Sequence, residues 1–226
     1  QIPLWTISLA LFWAATRSGR LLLFVALGVS LGLCLLAKYS AVLLYGFMLT
    51  WLVVDAESRR QLNAAKLMVC VASALAVASP NLIWLVGHDF QSLNYVQERL
   101  GEKLSAIARV TAAAEFLLAQ AGINLVALVL AWRLMRASPG DRGYAVTPAS
   151  RFLLAATLLP LIASLAVPLL GGRPLRDMWA MMMFTVLALA LVCLRPAAFD
   201  RLFARRWLLA WLGFQAFALA IYAGNV

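Results

Sequence analysis

From Leu21 to Val54 the chain reads LLLFVALGVSLGLCLLA and then AVLLYGFMLTWLVV, interrupted only by Lys38-Tyr39-Ser40. As one helix this stretch would extend roughly 50 Å, whereas the hydrocarbon core of a bilayer is about 30 Å thick. Two short spans are therefore required. The break falls at Lys38, because a lysine charge at mid-bilayer costs about 2.5–3.5 kcal/mol. Lys38 is expected at one membrane face, on a tight hairpin between the two spans.

Apolar runs of spanning length recur along the rest of the chain, which is 65% hydrophobic and only 12% charged, with a mean hydropathy of +0.91. The composition is that of an all-α, polytopic transmembrane helical bundle, with about eight spans forming one transmembrane domain over residues 1–226. The first span runs from about Pro3 to Thr16. The next two flank Lys38, and the fourth covers about Ala65 to Val86, with Pro80-Asn81 near its end. Proline there removes a helix donor and bends the helix. His88 to Arg109 places Val96, Leu100, Leu104 and Ile107 at helical spacing between charges, the pattern of an amphipathic surface helix. Later spans are read at about Ala112 to Trp132, Phe152 to Leu170, Met178 to Leu194, and up to about Gly224. Gly28 and Gly32 stand one turn apart, as on a close-packing helix face. Cys34, Cys70 and Cys193 lie inside apolar runs without metal-ligand spacing and read as packed thiols. The chain opens at Gln1, almost directly in a hydrophobic segment, and reads as the C-terminal part of a longer membrane domain.

Assigning loops alternately to the two sides puts 13 of the 19 Lys and Arg, and four of the nine acids, with 17–20, 55–66, 133–151 and 195–206. The sides then carry net charges of +9 and +1. This asymmetry accounts for the net charge of +10 through the positive-inside rule, so no nucleic-acid partner is implied. It also places Lys38, His88-Asp89 and the Arg173/Arg176/Asp177 loop together on the outward face.

Lys38, Arg173 and Arg176 sit on short outward loops, against the trend of that rule. Long cations at such positions also snorkel to lipid headgroups. Three of them on loops too tight to be solvated linkers point to an anion site at headgroup depth, suited to a lipid-linked phosphate. His88, the only histidine, is either a hydrogen-bonding or packing group or, beside Asp89, a phosphate ligand or proton-transfer group. Glu115 reads as an interfacial acid paired with Arg109 or a neighbour. Trp84 and Trp179 fit an interfacial aromatic belt or a site wall. No nucleophile triad, P-loop, zinc spacing or dinucleotide fingerprint occurs. No cofactor is evident; a divalent metal is compatible with the sequence, though no residue spacing indicates one.

Four segments carry a resemblance. GLCLLAKYS at Gly32–Ser40 resembles the GLALLSKYT segment of bacterial family-39-type glycosyltransferases, relatives of the dolichyl-phosphate-mannose protein mannosyltransferases and of the lipid A aminoarabinose transferase. SPNLIW at Ser79–Trp84, followed by His88-Asp89-Phe90, is similar to their SPxLIWNxxHDW stretch. FLLAQAG at Phe116–Gly122 is similar to F-x-x-x-Q-x-G, and PLRDMW at Pro174–Trp179 to the RDMWGxPM loop. Ala180 and Met182 depart from that loop's Gly and Pro.

The resemblance implies an inverting GT-C-type glycosyltransferase of the bacterial inner membrane, with its site on the periplasmic side. Its partners would be a polyprenyl-phosphate-linked sugar donor, membrane lipid, and a lipid, glycan or protein acceptor. On that reading Lys38, Arg173, Arg176 and His88 bind the donor phosphate. Tyr39, Trp84, Asp177 and Trp179 form the site wall. The family's general base stands in an outer loop before the first span seen here, and Asp89 is the candidate within the chain. The competing class is a non-catalytic lipid-phosphate-binding or transport protein. A transporter should place polar groups at mid-membrane, and only Gln120 and Asn124 do so.

Overall fold

The structure, a computed structural model, describes residues 1–91, 103–136, 146–175 and 181–194, with 205, 206, 208, 209, 212 and 213. Every regular element among them is a helix. The first helices are α1 (Ile2–Ser18), α2 (Leu21–Ala37), α3 (Ala41–Val54), α4 (Ala56–Gln61) and α5 (Ala64–Gly87). They are followed by α6 (Ala106–Ile123), α7 (Leu125–Arg136), α8 (Pro148–Leu169), a 3-10 turn at Met181–Phe184, and α9 (Leu187–Leu194). Three of these, α5, α6 and α8, are long and apolar enough to cross a membrane, while α2, α3 and the segment ending in α9 are shorter apolar helices.

The break at Lys38 is present. Helix α2 ends at Ala37, Lys38 takes an extended backbone, and α3 begins at Ala41. At about 25 Å and about 21 Å, each helix is one short span. The stretch 55–66, read as a polar loop, instead contains α4. Asp55 caps it by accepting the Ser58 N–H, and Asn63 caps α5 by accepting the Lys66 N–H, which satisfies donors that a helix start leaves open. Helix α5 runs on through Pro80. The missing Pro80 N–H would have served the Ala76 carbonyl, which accepts the Ser79 hydroxyl at 2.9 Å.

Other expectations need correction. The fifth span is not a helix over Ala112 to Trp132. It starts at Ala106 and breaks at Asn124, where a side chain that competes for backbone hydrogen bonds follows Gly122. The Ala106–Arg109 end of the proposed surface helix therefore belongs to α6, and residues 92–102 of it lie outside the described residues. Over Met178 to Leu194 the described part is a 3-10 turn and then an eight-residue α9, about 12 Å long and too short to span by itself. The eighth span lies almost wholly outside the described residues.

The chain forms two compact units, residues 1–120 with 155–186, and residues 121–154 with 187–226. In the second, α7 packs against α9. In the first, the principal packing is α2 on α5 and α1 on α2. The glycine face has a definite partner here. A Cβ on Gly32 would lie 2.7 Å from the Ala74 carbonyl oxygen, and one on Gly28 would strike the Cys70 carbonyl and come within 2.8 Å of Ser73 Cβ. The two backbones touch where side chains are absent. Trp5, Leu9 and Phe12 of α1 are buried, as are Phe24 and Leu27 of α2 and Leu44 of α3. Ser8 of α1 bonds Ser30 at 2.7 Å and Cys34 at 3.5 Å within this core.

Candidate functional site

At the opposite end of the first unit from the Lys38 turn, Arg17 pairs with Asp55 at 3.0 Å. There the Lys66 ammonium donates to the Gln61 carbonyl at 2.6 Å. Segments 17–20 and 55–66 thus share one end of the unit, as alternating spans require.

The Lys38 end is assembled from four places in the chain. Lys38 closes α2 with its N–H on the Cys34 carbonyl at 3.0 Å, and its own carbonyl accepts the Ala41 N–H that starts the next turn. Tyr39 donates its hydroxyl to Asn81 Oδ1 of α5 at 3.3 Å. Ser40 accepts from the Gln1 amide at 3.4 Å and donates to Met182 Sδ at 3.6 Å. Burial lowers the Lys38 ammonium from its ordinary range. At the C-terminus of α2 a cation also gains from the helix dipole.

His88 caps α5. Its Nδ1 lies 2.8 Å from the Trp84 carbonyl, and its ring stacks on Trp84 at 4.3 Å between centroids. Asp89 and Phe90 follow with φ of 49° and 55°, a left-handed end closed by the Phe90 N–H on the Leu85 carbonyl at 3.0 Å. His88 and Asp89 are exposed, so the histidine serves this helix end and remains at the surface.

Arg173 follows α8, whose end is closed by Gly172 in the left-handed region at φ 63°. The Gly172 carbonyl accepts the Leu104 N–H at 2.8 Å. The Arg109 guanidinium fills the space a Cβ at Gly172 would need, about 3.1 Å away, and donates to the Leu104 carbonyl at 3.3 Å. The sequence gives Arg109 only as a charge and as a partner for Glu115, whereas here it buttresses the turn that presents Arg173. Glu115 is exposed, and the ion pairs among the described residues are Arg17–Asp55 and Arg60–Glu57.

The structure therefore joins Tyr39 to α5 and leaves His88 engaged with Trp84. No hydrogen bond or ion pair among the described residues joins His88 to Arg173. Arg176, Asp177 and Trp179 lie outside the described residues. Asn81, Gln1 and Met182 are participants that carried no site role in the sequence reading. Only Asn81 had a signal, as an amide beside a proline within an apolar run. Among the described residues no group of three or more His, Cys, Asp and Glu could hold a metal ion.

Fold and site define an all-α, membrane-type helical bundle that presents a partly desolvated lysine on a helix-hairpin turn at one end. Residues 1–84 match the family described as dolichyl-phosphate-mannose-protein mannosyltransferase, a little over a third of the 226 residues. No curated protein and no solved structure matches the chain. The matched stretch contains the α1–α2 core, the Lys38 turn, Asn81 and Trp84. His88, Arg173 and the segments after them lie beyond it.

Proposed function

We propose that this chain is the membrane part of a GT-C-type glycosyltransferase that moves a sugar from a polyprenyl-phosphate donor to an acceptor at the Lys38 end. The observation that carries this reading is the half-buried Lys38 on a turn held by Tyr39 and Asn81, within the family-matched segment. In the reaction an acceptor oxygen forms a bond to the anomeric carbon as the bond to the phosphate oxygen breaks. The departing phosphate keeps the electron pair, and Lys38 stabilises the charge that develops on it. Arg173, Arg176 and His88 are further cationic or donor groups for that anion, and Tyr39, Trp84, Asp177 and Trp179 are its walls. The acceptor proton goes to a carboxylate, and Asp89, exposed at the end of α5, is the acid this chain offers. On the same reading the protein lies in the bacterial inner membrane, with this end facing the periplasm.

The test is transfer from a panel of polyprenyl-phosphate hexoses in membrane vesicles carrying the full-length protein. Lys38→Ala is expected to lose about 10²–10³-fold in turnover, the usual cost of removing one charge-stabilising donor, with unchanged insertion. Lys38→Arg should recover part of it. Undiminished transfer by Lys38→Ala removes the phosphate role. Binding of polyprenyl phosphate without transfer of any sugar would instead establish the non-catalytic lipid-binding reading.

A further inference from the structure

An apolar cavity of about 300 Å³ lies among α1, α2, α3 and α5, running from the Arg17 end of the first unit to within about one helical turn of the Lys38 turn. Its walls run from Phe24 to Leu35 on α2 and from Leu67 to Ala78 on α5, about 16 Å in each case. Leu49 of α3 and Leu75 of α5 line it yet are 63% and 53% exposed, so it opens sideways between these helices. The hydroxyls on its wall are already used. Thr16 donates to the Phe12 carbonyl at 2.8 Å, and Tyr45 to the Leu31 carbonyl at 2.6 Å. Water has few polar partners there, and an empty slot forfeits dispersion contacts on every wall.

The end of the slot formed by Phe24, Leu52 and Leu62 is flanked by two cations. Arg59 Nη1 donates to the Leu52 carbonyl at 3.1 Å and also to the Val53 carbonyl, which puts its guanidinium at the end of α3. The Lys66 ammonium is 5.8 Å from the Phe24 ring centroid. Each keeps donors beyond the bonds it makes here, since a guanidinium has five and an ammonium three. We propose that this slot holds one acyl chain of an anionic phospholipid from the adjoining leaflet, with the headgroup phosphate on Arg59 and Lys66. The two cations are at the opposite end of the unit from Lys38, and the site stands whether or not the protein transfers a sugar.

The test uses the full chain in detergent with a phosphatidylglycerol carrying a photoactivatable diazirine on its acyl chain. Adducts are expected on the peptides containing Leu49, Leu67, Val71 and Leu75. Dioleoylphosphatidylglycerol should compete about tenfold or more better than dioleoylphosphatidylcholine, as two basic groups near an anionic headgroup provide. The paired change Arg59→Gln and Lys66→Gln, at the surface of the bundle, should abolish that preference while labelling persists. Adducts confined to other helices would overturn the proposal, as would equal competition by the two lipids. Displacement by polyprenyl phosphate at lower concentration than phosphatidylglycerol would also overturn it, giving the slot to an isoprenoid tail.

Discussion

The Tyr39 hydroxyl donates to Asn81 Oδ1 at 3.3 Å, joining the turn that carries Lys38 to the helix position next to Pro80. Asn81 lies in a helix long and apolar enough to cross a membrane, where a polar side chain needs a partner within the protein. Tyr39 is that partner, and it fixes the Lys38 turn against α5.

Removing either end of this bond should loosen the turn. Tyr39→Phe and Asn81→Leu are each expected to cost about 1 kcal/mol, in the range of hydrogen bonds between membrane helices. The double variant should cost no more than the larger single change if one bond is shared. Denaturant titration in detergent reads these values. Simple additivity would show that the two side chains act separately.

The contact between α2 and α5 leaves no room at Gly28. Glycine to alanine in a helix normally gains about 1 kcal/mol from propensity, but here the new Cβ meets the Cys70 carbonyl, which is backbone and cannot swing aside. Gly28→Ala should lower stability by a net 1–3 kcal/mol or so, the usual cost of overpacking. Gly46→Ala is the control, since nothing lies within 4 Å of its Cβ position, and it should be neutral or slightly stabilising. Equal melting temperatures for the two variants would sink the close-contact account.

Acid should weaken the Arg17 end of the bundle. Burial alone would raise the Asp55 carboxyl, but the Ser58 hydroxyl and N–H, together with Arg17, outweigh it and hold the group below its ordinary 3.8. A carboxylate depressed in the folded state contributes stability above its unfolded pKa and loses it as pH falls through the folded value. The melting temperature of the intact protein should therefore drop as pH falls below 3.8, and Asp55→Asn should be less stable at pH 7 with a flatter profile. Parallel profiles for the two proteins would remove Asp55 from the acid response.

The two ends of the first unit should differ in access. With Cys193 replaced by serine, and Cys34 and Cys70 buried, cysteine introduced at exposed Gln91 should react with an impermeant maleimide applied outside intact cells. Cysteine at exposed Arg60 should react only after permeabilisation. The reverse pattern would put the Lys38 end in the cytoplasm and end the outward-site reading. Gly172 is a poor probe position, because it combines φ 63° with the Arg109 guanidinium about 3.1 Å from any Cβ.

The amino-acid order by itself determined the helical class, the hairpin break at Lys38 and the separation of the Arg17–Arg20 and 55–66 segments from Lys38. Each depends on quantities local to a short window, namely the apolar length set against bilayer thickness and the cost of burying a charge. Tertiary structure alone decided that the Gly28 and Gly32 face meets Cys70 and Ala74, that Arg109 braces Gly172 rather than pairing with Glu115, and that Gln1 and Met182 converge on Ser40. It also decided that α3 stands away from α2 and α5 far enough to leave an apolar slot. The break at Asn124 and the 3-10 turn at Met181 were equally hidden, because hydropathy averages over a window and does not register a single residue leaving the helix. The packing outcomes depend on which helix surfaces approach one another, and side chains from distant parts of an almost uniformly apolar sequence settle that only when they pack.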